Sequence, residues 1–211
     1  IDVLVNNSGG PPPGTHDQIE DDHWLHAFET TLRSSIRITN KVLPSMKKMR
    51  SGRIINISSY SVKQPMNSMI LSNSIRLAAL GWSKTLSNEL ARFNIRVTLI
   101  EPGTVITPIF GKGNSIPEDE EDYSIFQGRM IRQVTKGLTE LGCGPDIIAK
   151  CMVDFVTTKD PKLHYLLDKD AVDNVDIYHK YGPETWVSDG KILDDEEFFN
   201  TMKDRYGYEI G

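Results

Sequence analysis

The chain is predicted to fold as an α/β protein with a doubly wound parallel sheet, and three observations carry that expectation. Short apolar runs at Ile1–Val5, Arg53–Ile57 and Ile95–Glu101 have the near-continuous hydrophobic character of parallel strands covered on both faces. The stretches between them place apolar residues at three- and four-residue intervals, the period of a helix with one buried stripe. The order strand, helix, strand, helix, strand is what right-handed crossovers wind into one sheet.

Composition narrows the function classes. A chain of 211 residues can bury one substantial core, and a single domain is expected. The net charge of −5 predicts no nucleic-acid partner and no anionic membrane surface. No apolar run reaches the about eighteen residues that suggest a membrane-spanning helix. Cys143 and Cys151 cannot make a disulfide framework and lack metal-ligand spacing, so both are read as helix packing in a reducing, cytoplasmic setting. The chain opens at Ile1, inside a strand, and no targeting segment is read in it. The expectation is a piece of a longer chain, with the N-terminal half of the domain lying before Ile1.

Taken in order, Ile1–Val5 runs into Asn6-Asn7-Ser8-Gly9-Gly10 and then Pro11-Pro12-Pro13-Gly14. Asn and Gly suit a strand-end turn where backbone passes close to a ligand. Asp21 and Asp22 read as N-cap and first-turn acids of a long helix, Asp22–Met49, whose stripe includes Trp24, Phe28, Leu32, Ile36 and Leu43. Pro44 is expected to kink or break it near its end. Arg53–Ile57 then ends at Ser58 and Ser59, and open α/β sheets gather their chemistry at such carboxyl tips. A helix from Asn67 to Arg92 follows, with Asn94 as a left-handed cap, and Ile95–Glu101 ends at Pro102-Gly103-Thr104-Val105-Ile106-Thr107-Pro108.

Residues 109–140 are polar, and the acidic run Pro117–Asp122 is read as a solvated face. Gly144-Pro145-Asp146 starts a helix with Ile148, Cys151 and Phe155 inward, and Lys162–Leu167 is the last expected strand. Asp168, Asp170, Asp173 and Asp176 hint at a calcium loop, but Asp173 stands where that loop needs glycine and the closing Glu is missing, so no metal site is predicted. Asp194–Gly207 reads as an acidic amphipathic helix, part of a 168–211 extension that packs on its own domain or on a neighbouring subunit.

Four segments, NNSGG, GRIINISS, SNSIR and PGTVIT, occur in an order and spacing that resemble the short-chain dehydrogenase/reductase family, over roughly residues 1–167. The resemblance implies an NAD(P)-binding Rossmann fold whose segment near 109–140 is a substrate lid. It implies an oxidoreductase acting on a small-molecule carbonyl or alcohol, with NAD or NADP as cofactor. The glycine-rich turn and the residue that separates NAD from NADP would lie before Ile1. By the same likeness Asn6, Ser8, Gly9, Ile57, Ser58, Arg76, Pro102, Gly103, Val105 and Thr107 are the candidate cofactor-binding residues.

The catalytic positions are unusual. Ser59 stands at the family's serine, but its Tyr-x-x-x-Lys reads Ser72 and Arg76, and its catalytic Asn falls on Thr31. A tyrosine, with an ordinary pKa of about 10, can be tuned toward neutrality by a neighbouring cation; a serine hydroxyl is far too weak an acid for that. Arg76 stays charged and can still donate to ribose hydroxyls, and Ser59 can still polarise a carbonyl. Tyr60 or Tyr123 supplies the proton only if the fold carries it inward; the plainer expectation is a surface tyrosine. NNSGGPPPG, SVKQP and LSNSIR before GWSKTLS further resemble an atypical branch, 3-oxoacyl-carrier-protein reductase-like, with Ser-Asn-x-x-Arg at these positions. The alternative is a catalytically inactive cofactor-binding or scaffolding homologue. The resemblance also implies a homodimer or homotetramer built through the two long helices.

Overall fold

The computed structural model describes residues 1–109 and 121–207. Four strands, β1 (Val3–Asn6), β2 (Gly52–Ile57), β3 (Ile95–Pro102) and β4 (His164–Leu167), pair in parallel in the order β1-β2-β3-β4. Register is set residue by residue: Asn6 faces Asn56, Ile57 faces Ile100 and Pro102 faces Leu167. Alternate side chains of each strand leave on opposite faces, so Ile54 and Ile55 serve two cores.

On one face, α2 (Ser34–Met49) and α3 (Ile70–Ala91) bury Val42, Met46, Leu86 and Leu90 against Ile54, Ile95 and Val97. Side chains of this kind each contribute about 1.5–3 kcal/mol when fully buried. Gly52 is required here, because a Cβ would lie 2.6 Å from the Met46 sulfur. On the other face, α5 (Pro145–Thr157) places Ile148, Cys151 and Phe155 against Ile55 and Ile100. Helices on both faces of a parallel sheet make the doubly wound class that the sequence predicts.

The first long helix departs from expectation. Glu20, not Asp21, is the N-cap of α1 (Asp21–Ala27), and α1 passes through a π-helical turn, Phe28–Arg33, into α2. The extra residue of that turn resets the buried face: Ala27 and Leu32 pack on α3, while Val42 and Met46 pack on the sheet. Pro44 lies inside α2, which continues to Met49 rather than breaking. Asn94 does adopt the left-handed conformation, with φ of 55°.

Beyond β3, α4 (Glu121–Lys136) runs through a second π turn, Gly137–Leu141, toward α5. The part of the acidic run before Glu121 lies outside the described residues. Directly after β4, α6 (Asp168–Asp189) forms where no helix was expected, bent at Gly182 and Pro183, and α7 (Asp195–Tyr206) follows, capped by Asp194. Among the described residues no helix is long and apolar enough to cross a membrane.

Candidate active site

Three neighbouring strand tips build the site. The Asn6–Gly10 loop leaves β1, Ser58 and Ser59 leave β2, and Pro102–Pro108 leaves β3. From α3, the Arg76 guanidinium joins the first two: Nη2 donates to the Gly9 carbonyl at 2.8 Å and Nη1 to the Ile57 carbonyl at 3.2 Å. Its Nε donates to Ser72 Oγ at 3.2 Å, one helical turn earlier on the same face. Burial pulls the Arg76 pKa below its ordinary value. A guanidinium remains charged even so, and these acceptors compensate part of its desolvation. The structure thus brings Gly9, Ile57, Ser72 and Arg76 together as one cluster.

The serines at the β2 tip differ. Ser58 is buried, its N–H donating to Ile100 and its hydroxyl without a partner. Ser59 is half-buried and caps a short turn, Tyr60–Val62, its Oγ accepting from the Ser61 N–H at 3.2 Å. Thr31 is buried inside the first π turn, its carbonyl accepting from Ser35 Oγ at 3.1 Å. The turn that holds it packs on α3, the helix of Ser72 and Arg76, through Leu32.

Asn6 points away from the loop it introduces. Its amide donates to Asn56 Oδ1 at 2.8 Å and to Thr39 Oγ1 at 3.4 Å. Asn56 passes the chain on to Ser83 Oγ at 2.8 Å, and Ser83 to the Ala79 carbonyl. This buried ladder braces β1, β2, α2 and α3, while Ser8 and Gly9 stay exposed. Gly9 has φ of 79°, a conformation that glycine adopts without cost.

The loop after β3 is held by residues that sequence reasoning set aside. Asp168, dismissed with the calcium loop, accepts from the Gly103 N–H at 3.1 Å and caps the Ala171 N–H at 2.9 Å. Asp170 Oδ2 accepts from both the Thr104 N–H and its hydroxyl, each at 3.0 Å, and Oδ1 accepts from Asn174 at 2.9 Å. Val105 pairs with Cys143 across an isolated parallel bridge. Cys143 therefore belongs to a loop rather than to a helix; burial first, and then the Asp168 charge, push its thiol up to about 11. Thr107 is half-buried further along the same loop. The available signal was an aspartate pair opening a helix directly after a strand, where such residues cap.

Two further features escaped the sequence. Glu101 is fully buried at the end of β3, paired with Lys63 at 2.8 Å and His164 at 2.9 Å. Tyr60 turns inward, packed with Ala171 and Val175, and its hydroxyl donates to the Met66 sulfur at 3.2 Å. It lines a cleft between α4, α6 and α7 that none of Ser59, Ser72 and Arg76 lines. The Tyr123 side chain lies outside those described.

A parallel sheet with its polar loops clustered at adjacent carboxyl tips is the ligand-binding arrangement of open α/β proteins. The family model described as short chain dehydrogenase matches residues 1–117, and the chain belongs to that family. Relatives agree. The uncharacterized oxidoreductase YusZ of Bacillus subtilis is 32% identical over 174 residues, covering 80% of this chain and 62% of that protein. A short-chain dehydrogenase from Streptomyces avermitilis superimposes with a TM-score of 0.75 at 28% identity, over 91% of this chain and 71% of the other. The fold is shared with 3-ketoacyl-(acyl-carrier-protein) reductase from Brucella melitensis, solved with NADH: TM-score 0.62, 21% identity, 79% and 65% coverage. The chain spans less than two thirds of the length of the curated relatives it matches.

Proposed function

We propose that the protein is an NAD- or NADP-dependent oxidoreductase acting on a carbonyl/alcohol pair through an atypical site. The observation that carries this reading is the Arg76 cluster, which ties the β1 loop, the β2 tip and α3 into one polar surface. The residues present fit the nicotinamide end of such a cofactor. Ser58 Oγ is a buried hydroxyl without a partner, and Arg76 has N–H groups beyond those bonded to Gly9, Ile57 and Ser72. A bound nicotinamide supplies or accepts the hydride.

The chain's own residues bind and orient. Arg76 donates to ribose hydroxyls, while Pro102, Gly103, Val105 and Thr107 form the wall for the carboxamide, held at Gly103 and Thr104 by Asp168 and Asp170. Asn6 acts through the ladder that sets the loop of Ser8 and Gly9. Ser59 Oγ, already accepting from Ser61, keeps its own O–H to donate to the substrate oxygen. Thr31 sits in the π turn that packs on α3, and Ser72 orients Arg76 rather than transferring a proton. The Ser-Asn-x-x-Arg arrangement is then the working design of a distinct branch of the family.

A second reading, a cofactor-binding or scaffolding homologue without turnover, has one observation in its favour: the tyrosine position holds Ser72, whose oxygen is occupied by Arg76. A carbonyl and alcohol screen with full-length protein separates the two. Turnover that Ser59→Ala and Arg76→Ala each abolish supports the enzyme; cofactor binding without turnover of any substrate supports the homologue. We further propose a two-fold assembly through α1–α2 and α3, supported by the exposed Leu25, Ile38 and Leu77 on those helices. A single-chain mass in light scattering would refute it. The two free thiols accord with a reducing, cytoplasmic setting.

A further inference from the structure

The cleft beyond Tyr60 has a composition that specifies its occupant. Its wall includes Tyr60, Met66, Met130, Tyr178, Trp186 and Phe198, drawn from the loop after β2, from α4 and from both tail helices. Aromatic faces and methionine sulfurs favour flat, polarisable partners.

The charged groups that reach this cleft are already paired. Arg129, 5% exposed, binds the Asp195 carboxylate at 2.9 Å and the Ile192 carbonyl at 2.8 Å, and lies 3.9 Å from the Phe198 ring centroid. Asp189 is buried and bonded to Arg205. A charged ligand would have to enter without a counter-charge or break one of these pairs, and either is costly in a buried site. Arg129 moreover fastens α4 to the loop before α7, so the cleft is a built wall.

The cleft is also joined to the candidate active site. Tyr60 directly follows Ser59 in the chain. Asn174, on the wall, holds Asp170, which in turn holds Thr104 of the loop after β3. We infer that this cleft receives the body of the substrate, and that the body is an uncharged aromatic ring system rather than a carboxylate, phosphate or amine. The inference rests on the oxidoreductase reading, since it assigns the ring to that reading's carbonyl or alcohol substrate.

The test uses full-length protein and two probes with the same ring, 2-acetylnaphthalene and 2-naphthoate, in calorimetric titrations without cofactor, with NADH and NADPH titrated separately. The neutral ketone should bind about tenfold or more tightly than the carboxylate. Met130→Trp, which fills the cleft, should weaken the ketone about tenfold while leaving NAD(P)H binding unchanged; Tyr178→Ala gives a second, space-creating variant if the first does not fold. Equal or tighter binding of the carboxylate, or ketone binding that ignores both variants, overturns the inference with the oxidoreductase reading intact. Ketone binding in a protein that binds neither nicotinamide overturns that reading and the substrate assignment with it.

Discussion

Asp170→Ala tests how the loop after β3 is held. The carboxylate is 3% exposed and accepts from the Thr104 N–H, the Thr104 hydroxyl and the Asn174 amide, at 3.0, 3.0 and 2.9 Å. Truncation leaves all of these donors short of an acceptor. Hydrogen bonds to a charged group contribute about 1.5–3 kcal/mol each, but the half-buried Thr104 can recover water and Asn174 retains its bond to the Asp170 carbonyl. Taking about 1 kcal/mol for each lost bond gives a destabilisation of about 3 kcal/mol. For a chain of this size that corresponds to a Tm lower by about 6–12 °C. Asp170→Asn keeps the shape and one good acceptor and should lose only about 1–2 kcal/mol. Urea unfolding of full-length protein measures both, with the midpoint moving and the slope unchanged. If Asp170→Ala falls within about 0.5 kcal/mol of wild type, the carboxylate does not hold the loop and the reasoning fails.

Other outcomes follow from neighbouring contacts. Lys63→Met leaves the fully buried Glu101 without its lysine and with its contact to His164, and should lower unfolding stability by about 2–3 kcal/mol, part of which Glu101→Gln in the same background restores. Gly103→Ala should cost about 1–3 kcal/mol, because its Cβ would lie 2.6 Å from Asp168 Oδ1 and 2.9 Å from the Ala171 nitrogen; circular dichroism melts check it. Cys143, pushed up to about 11, should show about a hundredfold less thiolate at neutral pH than an ordinary cysteine. Its alkylation by iodoacetamide, followed by mass spectrometry, should accelerate with every rise in pH toward 11. Asp168→Asn should shift that curve to lower pH without bringing it to the ordinary thiol value, since burial is the larger cause.

The strands and the α2, α3 and α5 helices were readable because their burial is periodic: Ile54 and Ile55 serve opposite faces, and Leu86 and Leu90 return on one stripe. The spacing from Ser59 to Ser72 and Arg76 placed a cation where the structure has one, bridging Gly9 and Ile57. What was lost are contacts between residues far apart in the chain. Thr104 and Asp170 are separated by 66 positions, and nothing local to an aspartate says which distant N–H it will meet. Asn6 is a cofactor-binding candidate through the family resemblance; that its amide bonds to Asn56, 50 positions away across the sheet, is another contact that nothing local to it announces. The Asp-rich α6, interrupted by Gly182 and Pro183, carries too weak an apolar stripe to declare itself a helix. Pro44 sits within α2 without ending it, although helix interiors ordinarily exclude proline.

We propose that Arg76, in the place of a lysine, joins the strand tips into a nicotinamide-binding surface. Titration of NADH and NADPH into full-length protein, beside Arg76→Met, is the deciding measurement. The prediction is saturable binding of at least one of the two, weakened about tenfold or more in the variant, from loss of charged donors to the ribose and of the clasp on Gly9. Binding of neither nicotinamide to the wild-type protein, or equal affinity in Arg76→Met, would contradict it.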